Sequence, residues 1–318
     1  MKVIVDVDTG IDDATALMLL LSQVDVEVLA ITCVRGNTDL DKVCVNTLRV
    51  LKECGKRSCP PPVAQIPVYR GADRPILDNE TDASHFHGVD GLGDVTWSEE
   101  VDIADLQSEH AVMAILRLIN KYPGEITLIP LGPLTNIALA LRLDPDLGQK
   151  LKEVFIMGGN IEGRGNVTVS SEFNFYIDPE AAYICLSSLK APLSIIPWEV
   201  CLDTQRQIPW AVYDKWIGLG TPRANFFKKI TEHWIEKVKS RRQPGFRSCD
   251  LFAMTTVLDR ESILDKETVH ATVELHGHLT RGQMVVDWKD RMGNEPNVTI
   301  IKKICVEKVQ QFVLDMLQ

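Results

Sequence analysis

Four aspartates crowd one short stretch, DVDTGIDD, as Asp6, Asp8, Asp12 and Asp13 around Gly10. Residues 2–7 (KVIVDV) are β-branched and apolar, so they read as a buried strand, and DDATALMLLLS reads as the helix that follows it. Asp6 and Asp8 then share a strand face, while Asp12 and Asp13 open the helix. Several carboxylates within a few ångströms repel one another unless a cation sits among them. Oxygen-only ligands select a hard cation, calcium or magnesium. Helix capping accounts for one or two such acids, not four. A D-x-D phosphotransferase motif is a competing reading, but Gly10 stands where its threonine belongs, Thr9 comes one position early, and no later paired-acid motif follows. His85/His87 and His276/His278 form H-x-H pairs without a third ligand nearby in sequence, so solvated loop histidines are a better account of them than zinc.

The elements that must position these acids alternate. VEVLAITC, IPVYR, EITLIP, EVFIMGG and LSIIP read as strands. LDKVCVNTLRVLKEC, residues 108–121, LTNIALALRL and DPEAAYICLSS read as the helices between them. Such alternation predicts an α/β fold with a mostly parallel, Rossmann-like central sheet flanked by helices. Ligands in such sheets bind outside the carboxyl ends of the strands, where DVDTG lies. Residues 70–100 and 160–176 read as loops, the first long enough to suggest function. CPPP at 59–62 is rigid punctuation, too short for a linker. Residues 205–260 read as a helical cap over the sheet edge, and VHATVEL, GQMVVDW and NVTIIKK as a C-terminal strand-rich segment closed by VEKVQQFVLDML. Without repeats or a composition break, residues 1–318 are expected to form one elaborated domain.

Lys and Arg number 34 against 44 acids, a formal charge of −10. That surface repels phosphate backbones and anionic membranes, so neither nucleic acid nor membrane is an expected partner. No apolar run reaches the ~18 residues of a membrane span, and no secretory h-region follows the first residues. The eight cysteines are scattered without a C-x-x-C pair, several inside apolar runs, which fits free thiols in a reducing, cytoplasmic compartment.

With DVDTGIDDATAL in view, the chain resembles the nucleoside hydrolase family, the inosine/uridine-preferring ribohydrolases. RGNT near residue 36, HFHGVDG near 87, IPLGPLTNIALAL near 131, FIMGGN near 157, GNVTVSSEFNFYIDPEAA near 172 and SCDLFA near 250 follow in the family's order and cover nearly the whole chain. The resemblance implies one Ca2+ ion held by Asp8, Asp13, Asp250 and the main-chain carbonyl of Leu131, together with water and the ribose 2′- and 3′-hydroxyls. It implies that Asp8 also acts as general base toward water, with inversion at the anomeric carbon because no protein nucleophile intervenes. Asp12, Asn37, Asn166, Glu172 and Asn174 match residues that hold the ribose hydroxyls, Glu172 and Asn174 being read as sharing a strand face. His87 matches the family's loop histidine beside the pocket. The expected partner is a small ribonucleoside, and the family implies a homodimer or homotetramer.

Two departures stand out. Thr9 replaces a proline frequent before the first-motif glycine. Cys249 stands where inosine/uridine-preferring members commonly carry the histidine that assists departure of the base, and a neutral thiol is a weak proton donor. This is the one feature that favours the alternative of a non-catalytic nucleoside- or calcium-binding member. His233 and Trp234, on the preceding helix, are the candidates for protonating or stacking on the base.

Overall fold

Strand β1 (Lys2–Val7) sets the layering. Its Val3, Val5 and Val7 pack into one apolar layer and Ile4 into the other, as a period of two requires. The chain continues through α1 (Ile11–Leu21), β2 (Glu27–Cys33), α2 (Leu40–Gly55), β3 (Val68–Arg70), α3 (Ser84–His87), α4 (Ala111–Lys121), β4 (Ile126–Pro130), α5 (Thr135–Leu143) and β5 (Glu153–Met157). After these come α6 (Phe173–Ile177), α7 (Pro179–Ser188), β6 (Leu193–Ile196), α8 (Glu199–Leu202), β7 (Ile208–Pro209), α9 (Trp210–Ile217), α10 (Pro222–Ser240), β8 (Gly245–Phe246) and α11 (Cys249–Leu258). The last elements are β9 (Ile263–Val269), β10 (Ala271–Val273), β11 (Met284–Val286), β12 (Val298–Ile304) and α12 (Val306–Leu317). This computed structural model describes residues 1–55, 66–203, 207–240 and 243–318, without the side chains at 233, 237 and 240. The proline punctuation at 59–62 and the candidate His233 side chain lie outside the described residues.

The 8-stranded sheet runs β3-β2-β1-β4-β5-β6-β12-β9. Every neighbouring pair is parallel except β12 with β9. Strand order reverses between β1 and β4, which pair from Lys2↔Ile126 to Asp6↔Pro130. The crevice outside such a reversal is where an α/β sheet receives a ligand. Asp8 leaves β1 at that edge and Leu131 leaves β4 beside it. No helix among the described residues is long and apolar enough to cross a membrane.

The expected mostly parallel sheet flanked by helices is present, and three local expectations are corrected. Strand β9 escaped the sequence reading because it is an edge strand whose alternating, charge-bearing pattern (ILDKETV) offers no apolar run. β10 and β11 pair with each other in a separate sheet. The helical segment after residue 205 covers a face of the sheet and not its edge: Phe227, Ile230, Trp234 and Phe252 join the apolar layer that holds Val3, Val5 and Val7.

Candidate active site

A cavity of about 470 Å³ opens at the reversal point. Its lining includes Asp8, Asp12, Asn37, His87, Leu131, Asn166, Glu172, Asn174, Trp234, Cys249 and Asp250. Asp13 is buried and outside the lining, yet its carboxylate, those of Asp12 and Asp250, all offer oxygens within 4.8 Å of one another. Asp12 and Asp13 come from the first turn of α1 and Asp250 from the first turn of α11, two helices that pack together. The fold thus joins acids that are more than two hundred residues apart in sequence. Asp6 goes elsewhere. Its Oδ1 accepts from the Thr32 hydroxyl and from Asn136 Nδ2 (2.8 Å), inside the sheet and away from the cavity.

Burial drives the electrostatics of this cluster. It pushes the Asp8 and Asp250 carboxyls well above the usual range, and neighbouring negative charge adds to it: Asp13 and Asp12 at Asp8, and Asp12, Asp13 and Asp8 at Asp250. Asp13 is pushed up to about 7 by burial and by Asp12. Asp13 Oδ2 accepts from Gly10 N–H (2.9 Å) and from Asn37 Nδ2 (3.1 Å), so the capping reading of this residue is correct as far as it goes. It leaves Asp12 unexplained, because Asp12 Oδ1 is buried with no hydrogen-bond partner. A carboxylate with an unpartnered buried oxygen, grouped with two more carboxylates, fits a hard cation.

Asp8 is aimed by its surroundings. Asn37 N–H donates to Asp8 Oδ2 (2.8 Å), and the carboxylate rests against the backbones of Gly36 and Gly132. A Cβ on Gly132 would stand 2.7 Å from Asp8 Oδ1, so only glycine permits that approach. The neighbouring Leu131 carbonyl accepts from Asn174 Nδ2 (2.6 Å), which fixes its direction.

His87 is buried on α3, and its Nδ1 accepts from Ile11 N–H (3.0 Å). The ring proton is therefore on Nε2, which faces Asp12 Oδ1 at 3.8 Å. Burial lowers its pKa, so it stands neutral near pH 7. Glu172 and Asn174 do not share a strand face. Glu172 N-caps α6: Oε1 accepts from Asn174 N–H (2.9 Å), Oε2 from Gly159 N–H (2.8 Å) and Phe175 N–H (3.1 Å). Capping chemistry won over strand alternation here, and burial raises the Glu172 carboxyl to about 7. Asn166 is exposed on the loop opposite.

The wall farther from the acids is aromatic. Trp234 is 3% exposed, its ring centre 5.3 Å from Phe86 and 5.5 Å from Phe246, and its indole N–H has no partner. Sequence reading missed Phe86, Trp198, Phe246 and Arg247 in this wall. Arg247 lies two residues before Cys249, its guanidinium 5.0 Å from the Trp198 ring centre. The proximity of Arg247 to SCD in sequence was the only available signal. The expectation that the cysteines are free thiols is corrected at one pair: Cys249 forms a disulfide with Cys201, their Cα atoms 5.9 Å apart. Folding brings α8 against the start of α11, which no spacing rule reveals. Cys33, Cys44, Cys54, Cys185 and Cys305 are free.

The sequence profile of the family described as "Inosine-uridine preferring nucleoside hydrolase" matches residues 3–311. The chain is 34% identical over 323 residues to an inosine-uridine preferring nucleoside hydrolase of Leishmania major, covering 100% of this chain and 97% of that protein. It is 33% identical over 303 residues to a pyrimidine-specific ribonucleoside hydrolase of Salmonella arizonae, covering 95% and 93%. Among solved structures it resembles an inosine-guanosine nucleoside hydrolase with a TM-score of 0.89, 32% identity and coverage of 99% and 98%.

Proposed function

Since the chain belongs to the inosine-uridine preferring nucleoside hydrolase family, and so is an enzyme that hydrolyses the N-glycosidic bond of ribonucleosides, we propose that it does so with Ca2+ held at the acidic end of its cavity. Membership removes the phosphotransferase alternative. The family is metal-dependent, and the observation that carries the calcium reading is the grouping of the Asp12, Asp13 and Asp250 carboxylates within 4.8 Å of one another. Asp8, Asp13, Asp250 and the Leu131 carbonyl would hold the ion, with Asp12 beside them. When bound, the ion supplies Lewis acidity to the water and sugar hydroxyls around it.

The chain's own groups do the rest. Asp8, held at Oδ2 by Asn37 N–H, accepts the proton of the attacking water. Water attacks the anomeric carbon as the bond to the base breaks, with inversion, because no protein nucleophile intervenes. Asp12, Asn37, Asn166, Glu172 and Asn174 bind the ribose hydroxyls, and a site built for those hydroxyls rejects a sugar that lacks one. His87, neutral with its proton on Nε2, stands beside Asp12. Trp234 offers its unpartnered N–H and its ring to the base. His233 remains the other candidate for assisting its departure, because the disulfide leaves Cys249, the residue at the family's histidine position, no S–H to donate. Relatives of nearly equal identity differ in the base their names give, so the preferred base is left to the nucleoside panel below.

The test is ribose release from inosine, guanosine, adenosine, uridine and cytidine, with metal-stripped and calcium-loaded protein. Release that requires calcium and fails with 2′-deoxyinosine supports the proposal. Release that persists after thorough chelation overturns the calcium reading.

A further inference from the structure

The Cys201–Cys249 bond closes a loop with a sequence separation of 48 residues. Within it lie Trp234, Gln243, Phe246 and Arg247, four residues that line the cavity on its aromatic side. Both anchors adjoin the site. Cys249 lines the cavity and immediately precedes Asp250, and Cys201 follows Trp198, a further lining residue, by three positions on α8. Cys201 is fully buried, so the sulfur of Cys249 is the one a small reagent meets through the cavity. The separation of the Cα atoms is ordinary for a disulfide.

We propose that Cys201 and Cys249 form a thiol–disulfide exchange site in the wall of the base pocket, and that its redox state sets the affinity for the nucleoside. The inference rests on the nucleoside hydrolase reading of the same cavity. Two molecules of a small thiol reduce the bond: one thiolate attacks Cys249 Sγ, forming a mixed disulfide and releasing Cys201 as a thiol. The second thiol resolves the mixed disulfide, so the two small thiols give two electrons and two protons to the protein, leaving two protein thiols and one small-molecule disulfide. Oxidised glutathione runs the exchange in reverse. The closed loop holds the base wall ready for its ligand, and opening it returns ordering cost to the binding step. Asp8, Asp12 and Asp13 lie outside the closed loop, at the end of β1 and on α1, and Asp250 lies just beyond the loop's end.

The experiment compares the whole enzyme, calcium-loaded, in dithiothreitol and in oxidised glutathione, with peptide mapping of both samples. The expected result is a cross-linked Cys201–Cys249 peptide in the oxidised sample alone and a KM for inosine roughly three- to tenfold higher in the reduced one. Inhibition by free ribose, which meets only the acidic end, stays equal in both. Cys201→Ala, or Cys201→Ser if packing around that position suffers, fixes KM at the reduced value in either buffer. Equal KM in both states, a Cys201 variant that still responds, or no cross-linked peptide after oxidation overturns the inference. No hydrolysis in either state would overturn the hydrolase reading and this inference with it, whereas equal, measurable hydrolysis faults this inference alone.

Discussion

Removing calcium should expose the electrostatic cost of the acidic cluster, and the cost should depend on pH. Asp13 shows how much is at stake. Its carboxyl moves from 3.8 to about 7 on folding without a cation, a shift of about 3 units or about 4 kcal/mol. A raised carboxyl pKa means that the fold favours the protonated form. Its contribution is therefore fully present below pH 4 and is lost as pH rises toward 7. About two of the three units, on the order of 3 kcal/mol, fall between pH 5 and pH 8. Asp8 and Asp250 shift in the same direction. His87 opposes them, because its lowered pKa makes acid destabilising. The informative quantity is thus the gain in Tm on adding calcium to metal-stripped protein, in which pH effects common to both samples cancel. At about 2 °C per kcal/mol for a chain of this size, the gain should be on the order of 5 °C larger at pH 8 than at pH 5. Scanning calorimetry at the two pH values measures it. A gain that is equal at both, or larger at pH 5, refutes the argument that the cation relieves buried carboxylate charge. Asp13→Asn, which cannot ionise, should flatten the difference.

Three substitutions probe the parts separately. Asp8→Asn keeps the shape and removes the proton acceptor, so kcat for inosine should fall by ~10²-fold or more, with Tm unchanged or raised; near-normal turnover would remove Asp8 as the base. Gly132→Ala would place a Cβ 2.7 Å from Asp8 Oδ1 and should lower kcat more than it raises KM, with an unchanged circular dichroism spectrum. Glu172→Gln offers one acceptor oxygen where two serve the N–H groups of Gly159, Asn174 and Phe175, so it should cost about 1–3 kcal/mol in urea unfolding; a neutral result would deny Glu172 its capping role.

Much of this was legible in the sequence because strand and helix periods are local. β1, α1 and the alternation through β6 follow from runs of apolar residues that each element must bury. The N-terminal acids were also legible, since no structural demand calls for so many at one turn. The illegible parts depend on what arrives from elsewhere. Asp6 looks like a fourth ligand until Thr32 and Asn136, from β2 and α5, claim it. Glu172 looks like a strand residue until three backbone N–H groups turn toward it. Cys249 looks like a free thiol until α8 delivers Cys201. Asp250 required the family resemblance, because nothing near SCDLFA in sequence indicates that α11 will pack against α1.

Calorimetric titration of metal-stripped protein with calcium tests the central claim most directly. The account predicts one ion bound per chain by the wild type, and binding weakened at least tenfold or abolished by Asp250→Asn. No binding by the wild type, or equal binding by the variant, would contradict it.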